Sequence, residues 1–162
     1  MTKRIVSAVL ATLVVLSVAV AFPRGQAAAV VGENRVTAGG SGVFPAGASF
    51  NGIELAGGTF GIGSQTASDG SAVGVVEIQL NGTSLIGLSQ WITITGWITT
   101  GTLNADGTIT LNGTGTLDMG DGTAPSGGLP FVANVSLSGV QVTIGSTTVP
   151  TLPKSDGWIS IE

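Results

Sequence analysis

The sequence predicts an all-β fold, an antiparallel β-sandwich or barrel of about 8–10 strands preceded by an N-terminal signal helix. Three observations predict it. The chain has 27 glycines, many threonines and few helix-forming residues after Val30. Apolar and polar residues alternate with a period of two, and Asx-Gly pairs, which favour hairpin turns, separate the alternating runs. One-sided alternation is typical of antiparallel sheets, because parallel sheets are usually buried on both faces.

The first 29 residues have the three parts of a secretory signal peptide. MTKR is cationic, residues 5–22 form an uncharged apolar run, and residues 27–29 are small. We expect cleavage near Ala27 or Ala29 and a mature protein that is secreted, extracellular or held in the cell envelope. An uncleaved signal anchor is the alternative, because a predominantly apolar run of 18 residues lies near the lower limit for spanning a bilayer. Residues 30–162 are expected to form one domain, with 30–42 as a flexible leader.

The charge of the chain argues against two classes of partner. Loss of Lys3, Arg4 and Arg24 with the signal segment would take the formal net charge from −4 to −7, leaving Arg35 and Lys154 against nine carboxylates. Nucleic acid and anionic membrane surfaces both attract clustered Lys and Arg. We therefore expect no nucleic acid and no membrane as a partner of the mature domain. The chain has no cysteine, so packing and hydrogen bonds must stabilise it without disulfides.

The alternating runs indicate the strands one by one. The clearest runs are residues 75–80, 91–100, 108–119, 131–137, 140–144 and 158–161. In the second run Ile92, Ile94 and Ile98 share one face, opposite the tryptophans and threonines. The alternation slips at residues 138–139, which predicts a tight turn or a bulge. Residues 120–130 are expected to be a long loop.

The stretch TLNADGTITLNG, residues 102–113, has the spacing of the middle of an EF-hand calcium loop. With Gly107 at loop position 6, Asp106 falls at position 5. Thr102 and Gly113 then fall at positions 1 and 12, where an EF-hand needs carboxylates. We therefore interpret the stretch as a hairpin turned by Asp106 and Gly107.

The composition restricts catalysis. Because the chain contains no His, Cys or Tyr, imidazole-activated nucleophiles and His/Cys zinc sites are excluded. Asp118 and Asp121 are weak metal candidates, and we expect neither a metal nor a cofactor. Glu54 and Glu77 are the candidates for a carboxylate-pair enzyme, although both fall on the polar face of their strands. The glycine-rich residues 57–64 have no following helix and no Lys-Ser/Thr ending, so we expect no phosphate site there.

The tryptophans give the sharpest hypothesis about a ligand. Two of them lie six residues apart in one predicted strand, roughly 20 Å, unless a kink at Gly96 brings the rings closer. Exposed indole rings beside hydroxyl groups suit a carbohydrate-binding surface, because the rings stack on sugar faces. Burial in the core is the alternative, since tryptophan is usually largely buried. The candidate ligand-binding residues are Trp91, Trp97, Thr93, Thr95 and Trp158.

Four segments carry a resemblance to known proteins. They are GGSGVF (39–44), GTFGIG (58–63), WITITGWITTGTLNADGTITLNGTGTL (91–117) and DGWISI (156–161). Together they resemble small secreted bacterial β-domains of uncharacterised function, in which a glycine-rich first strand and a D-G-T hairpin recur. The resemblance implies the fold and the compartment, and it implies no activity.

We expect a non-enzymatic, exported domain that acts as a cell-surface or extracellular structural or interaction module. A carbohydrate-binding domain is the first alternative and a carboxylate-pair glycoside-processing enzyme is the second. The expected partner is a protein or polysaccharide surface. The polar, glycine-rich leader after the cleavage site, with AAAVVG at its head, also suggests self-assembly, in which the leader adds a strand to the open edge of a neighbour.

Overall fold

The computed structural model describes residues 34–162. The predicted signal peptide, its helix and residues 30–33 of the predicted leader lie outside the described residues. Within 34–162 the chain is all-β, which confirms the fold class. No helix in this part of the chain has the length and hydropathy needed to cross a bilayer.

Residues 34–162 form eleven strands, and eight of them have six residues or more. In chain order the strands are β1 (Asn34–Val43), β2 (Ser49–Phe50), β3 (Ile53–Thr66), β4 (Ser71–Thr83), β5 (Ser89–Leu103), β6 (Ile109–Asp118), β7 (Ser126–Ser136), β8 (Gly139–Ile144), β9 (Thr147–Thr148), β10 (Leu152–Pro153) and β11 (Asp156–Ile161). The total of eleven exceeds the predicted 8–10 strands because it includes three strands of only two residues, β2, β9 and β10.

All the described strands belong to one curled antiparallel sheet that forms a half-barrel. The strand order is β10-β8-β7-β6-β5-β4-β3-β1-β11, with β2 beside β3 and β9 beside β8. Long strands that follow one another in the chain are neighbours in the sheet from β3 to β8, so short turns connect them. The described architecture is thus a partial barrel rather than a two-sheet sandwich.

The C-terminal segment links the two ends of the sheet. Its first part, β10, pairs with β8, and its second part, β11, pairs with β1. Between them the N–H of Ser155 donates to the carbonyl oxygen of Ser41 at 2.9 Å. Gly42 permits this close approach, because a Cβ at that position would collide with the carbonyl oxygen of Pro153.

The apolar residues of the alternating runs line the inner face and form one core. Glycines make room for the larger rings: a Cβ on Gly96 would lie 2.5 Å from the buried ring of Phe131, and one on Gly115 would lie 3.3 Å from it. The sequence-based idea of a kink at Gly96 is wrong. The pairing of β5 with β6 is regular there, and its irregularity lies between Ile98 and Thr100.

Two segments that the sequence predicts to be irregular contain strand residues. Residues 34–42 of the predicted leader form most of β1, which pairs with ten residues of β3 and six of β11. Alternation is hard to recognise in this strand because only its first two inward residues, Val36 and Ala38, have apolar side chains. The inward residues that follow them are glycines. The predicted loop 120–130 is also shorter than expected, because β7 begins at Ser126 and pairs with β6.

Three consecutive hairpins use the same five-residue loop. In residues 67–71, 84–88 and 104–108 the first N–H donates to the carbonyl oxygen of the fifth residue, and the fourth residue is glycine at φ of 80–81°. Glycine is favoured there because other residues rarely adopt positive φ. The predicted turn at Asp106 and Gly107 is therefore confirmed, with Asn104 N–H donating to Thr108 at 2.8 Å.

Candidate functional site

The outer face of the sheet carries all three tryptophans of the chain. Trp91, Trp97 and Trp158 are 66%, 60% and 55% exposed. Thr93 and Thr95 lie between the first two on the same face of β5, half-buried, as the alternation predicts. The structure therefore places the tryptophans in solvent rather than in the core.

The outward positions of β3 form the floor of a groove, which we name the glycine groove after its floor residues Gly57, Gly61 and Gly63. Depressions of about 510, 210 and 300 Å³ follow one another over these glycines, and Thr59 and Gln79 line both of the first two. A Cβ on Gly61 or Gly63 would meet nothing within 4 Å. The groove is thus open to solvent at Gly61 and Gly63, whereas Gly57 is buried and a Cβ there would lie 2.7 Å from the carbonyl oxygen of Gly42. The three glycines span roughly 20 Å of strand.

Strand β5 forms one rim of the glycine groove. Trp91 aligns through Asn81 of β4 with Gly57, the first glycine of the floor. Trp97 aligns in the same way with the last glycine of the floor. Six residues of regular strand separate the two rings by roughly 20 Å. The rim therefore places one indole near each end of the groove.

The backbone of Trp91 is held in place by the loop that follows β6. The side-chain amide of Gln90, which is 9% exposed, donates to the carbonyl oxygen of Met119 at 2.6 Å. Gly120, at φ 65°, lies so close that a Cβ on it would collide with the carbonyl oxygen of Trp91. Trp91 is thus an exposed side chain on a fixed backbone.

Strand β11 forms the other rim. Trp158 pairs with Gly39 of β1, and Gly39 pairs with the middle floor residue Gly61. The indole Nε1 lies 4.0 Å from the position that a Cβ of Gly39 would occupy. On the opposite side, Glu77 of β4 pairs with Gly61. The middle of the groove therefore lies between an indole and a carboxylate whose strands are three spacings apart, roughly 14 Å.

Polar groups of the glycine groove are mainly hydroxyls, amides and carboxylates. Gln79 donates through Nε2 to Oε1 of Glu77 at 3.5 Å, and Asp118 pairs with Thr93 at the margin of the same face. Arg35 lines the depression at the far end. The groove therefore offers donors and acceptors for hydroxyl groups around a centre that carries negative charge.

Glu54 and Glu77 are not brought together. Glu54 pairs with Thr83 of β4, six residues along that strand from Glu77, and six residues span roughly 20 Å. Glycoside hydrolysis by two carboxylates needs a separation of about 5–9.5 Å. These two residues therefore cannot form the catalytic pair that the sequence offers.

The carboxylates of Asp118 and Asp121 are engaged in turns. Asp118 accepts from the N–H of Gly120 at 2.8 Å, and Asp121 accepts from the N–H and the hydroxyl of Thr123 at 2.9 and 2.6 Å. Among residues 34–162, no group of three or more His, Cys, Asp or Glu side chains is placed to hold a metal ion.

Three turns have the same pattern of side-chain hydrogen bonds. Asp69, Asp106 and Asp121 each accept from the hydroxyl and from the N–H of the Ser or Thr two residues later. The hydroxyl, and then the N–H, favour the charged form and hold the pKa of each carboxyl below its usual value. The stretch 102–113 thus uses Asp106 to close a hairpin.

These lowered pKa values predict an acid-sensitive contribution to stability. Folding lowers the pKa of Asp106. The charged carboxylate therefore stabilises the folded state at pH values above the pKa of the unfolded chain, about 3.9, and this stabilisation is lost as pH falls through the pKa of the folded state. We expect Asp106→Asn to lower the thermal midpoint at pH 7. The difference from the wild type should disappear as pH is lowered below the folded pKa, where Asp106 is also neutral. Melting curves from pH 7 to 2 check this, and a difference that stays constant would contradict it.

The structure also locates a free sheet edge. Arg35 and Glu162 exchange backbone hydrogen bonds of 2.7 and 2.9 Å, so the odd-numbered residues 157–161 direct their N–H and carbonyl groups away from β1. In the described residues β11 pairs with β1 alone. An antiparallel pairing of two copies about Ile159 would oppose Asp156 and Glu162, and charges of this kind protect an edge. Self-assembly stays a prediction.

Sequence reasoning missed the floor of the groove. It treated residues 57–64 only as a phosphate motif that lacks its helix. The available signal was the spacing: Gly61 and Gly63 take successive outward positions of a strand whose inward positions are Phe60 and Ile62. No protein-family model, curated protein or solved structure matches the chain.

Proposed function

We propose that this protein is a non-enzymatic, exported interaction module whose ligand is a polysaccharide chain lying along the glycine groove. One observation carries the proposal: a groove that is open to solvent over Gly61 and Gly63 lies between two rims that together present all three tryptophans of the chain to solvent.

The chemistry of a sugar chain fits this surface. Each pyranose ring has C–H faces that stack on a flat apolar ring, and an indole offers such a ring together with one N–H donor. Hydroxyl groups at the edge of the sugar need donors and acceptors, which Thr59, Gln79, Asn81 and Glu77 offer beside the floor. Glycine lets a ligand approach the backbone closely.

Exposure of the tryptophans is also costly unless it serves a contact. Burial of a large side chain contributes about 1.5–3 kcal/mol, and each of the three tryptophans, which are 55–66% exposed, forgoes more than half of this stabilisation. Exposed apolar surface that borders a groove is typical of a binding site rather than of an ordinary surface. The arrangement on opposite rims favours a long ligand over a small one.

Charge narrows the ligand class. Glu77 stands at the middle of the groove, and the chain has a formal net charge of −4. Polysaccharides that carry carboxylates or sulfates would be repelled there, although salt would screen part of the effect. A neutral polysaccharide is therefore the proposed ligand.

The first test is replacement of one indole. We expect Trp158→Ala to weaken retention on insoluble neutral polysaccharides at least tenfold, about 1.4 kcal/mol. The thermal midpoint should change little, because Trp158 is 55% exposed. Pull-down with a panel of neutral and acidic polysaccharides measures the retention.

Leu137→Ala is the matched control for this test. Leu137 is another large exposed side chain, 64% exposed, in the turn between β7 and β8 and distant from the glycine groove in the sheet order. Its removal should leave retention unchanged. A wild-type protein that no member of the panel retains, or equal losses in both variants, would contradict the proposal.

A further inference from the structure

The hairpin between β4 and β5 differs from its two neighbours of the same loop geometry. At the second and third positions of the shared five-residue loop, the other two hairpins have Ser68-Asp69 and Ala105-Asp106. This hairpin has Leu85 and Ile86. Because the same backbone conformation accepts aspartate elsewhere in the molecule, the fold does not require apolar residues at this tip.

The side chains of this hairpin point into solvent. Leu85, Ile86 and Leu88, which we name the apolar tip, are 93%, 80% and 62% exposed. Residues 83–90 contain no charged side chain. Among the large apolar residues exposed in the described part of the chain, Leu85 and Ile86 are the most exposed. A protruding, uncharged and aliphatic tip calls for a contact outside the molecule.

The backbone of the loop is largely hydrogen-bonded within itself. Ser84 N–H donates to the carbonyl oxygen of Leu88 at 2.9 Å, and Gly87 N–H donates to that of Ser84 at 2.8 Å. Leu88 N–H donates to the hydroxyl of Ser84 at 3.2 Å. An apolar environment penalises unpaired N–H and C=O groups, so this pairing lowers the cost of moving the tip out of water.

The size of the apolar tip favours a lipid surface over a protein partner. A stable protein interface buries about 800 Å² on each side and uses about 20–30 residues. Three side chains on a convex loop are far smaller than that. Insertion into the interface of a bilayer needs no complementary shape, and its strength grows with the apolar area inserted.

Charge selects the kind of lipid. Asp121 lines the crevice of about 400 Å³ behind the tip, together with Ile86 and Leu88. A carboxylate there would be repelled by anionic headgroups, and no Lys or Arg lines this crevice. The expectation of no membrane partner was based on the scarcity of cations, which argues against anionic surfaces alone.

We propose that the apolar tip inserts into the surface of a bilayer whose headgroups carry no net charge. Trp91 follows Leu88 by three residues on β5, roughly 10 Å, and tryptophan is favoured at the membrane–water interface. In this orientation the glycine groove begins next to the membrane and runs away from it along β3. The inference does not depend on what the groove binds.

The test is sedimentation with vesicles of phosphatidylcholine alone. The tip variant carries Leu85→Ala with Ile86→Asp, which copies the Ala-Asp-Gly sequence of the β5–β6 hairpin and therefore suits the fold. We expect the vesicle-bound fraction to fall at least tenfold. Leu137→Asp, at an exposed apolar position in another turn, is the control and should bind like the wild type. All three proteins share the same N-terminal residues, so a difference between them comes from the substituted side chains.

Two results would overturn the proposal. One is equal vesicle binding by the wild type and the tip variant, or no binding by either. The other is a difference in sedimentation between them without vesicles, which would assign the tip to a protein contact. Vesicle binding and polysaccharide retention are measured in separate experiments, so failure of the groove proposal is recognised separately.

Discussion

Replacement of Gly61 by phenylalanine is expected to abolish polysaccharide binding while the fold stays intact. A Cβ on Gly61 meets nothing within 4 Å, so the new ring has room on the outer face. That room is the middle of the glycine groove, between Trp158 and Glu77. The ring would occupy the space proposed for the sugar chain, and retention on polysaccharide should fall more than tenfold.

Stability should not fall in this variant. Gly61 does not have positive φ, and an aromatic residue in a strand is favoured over glycine by up to about 1 kcal/mol. The control is Thr102→Phe. Thr102 is an exposed residue of β5 that pairs with β6 and lies past the part of β5 that pairs with β4. Retention and melting are measured for both variants. A Gly61→Phe protein that melts normally and still binds polysaccharide would contradict a ligand in the groove.

Gly96→Val is expected to cause the largest loss of stability. Gly96 faces inward, and its Cβ would lie 2.5–2.7 Å from three ring atoms of Phe131, which is 1% exposed. Forcing extra atoms into a packed core costs about 1–3 kcal/mol, sometimes more, and we expect about 3 kcal/mol here. That is a large part of the roughly 5–15 kcal/mol by which a domain is stable.

Gly63→Val is the matched control for this prediction. It makes the same chemical change in a long strand of the same sheet, but its Cβ points into open space on the outer face. Urea unfolding should show a lower midpoint for Gly96→Val at an unchanged slope and no decrease for Gly63→Val. Equal losses in the two variants would contradict the assignment of inner and outer faces.

The inner face of β5 was predictable from the sequence because its pattern is local. Ile92, Ile94 and Ile98 alternate with polar residues, and a period of two determines which residues share a face. The hairpin at Asp106 and Gly107 was predictable for the same reason, since turn residues act through their own backbone. Strand β1 was not, because its inward glycines give no apolar signal.

The candidate site could be predicted only in part. The pattern places Trp91 and Trp97 on one face of a strand, and the structure adds that this face is outside. The relation of Trp158 to them depends on the pairing of β1 with β3 and of β11 with β1, and the last two strands lie more than a hundred residues apart in the chain. Such long-range pairing leaves no local signal. The open space over Gly61 likewise appears only when neighbouring strands are placed.

Intrinsic fluorescence reports directly on a ligand in the glycine groove, because all three tryptophans of the chain lie on its rims. We expect a soluble neutral polysaccharide to shift the emission to shorter wavelength and to protect it from acrylamide quenching, with saturation. An acidic polysaccharide of similar length should do so much more weakly. Emission and quenching that stay unchanged across a panel of neutral polysaccharides would rule out a neutral polysaccharide as the ligand of the groove.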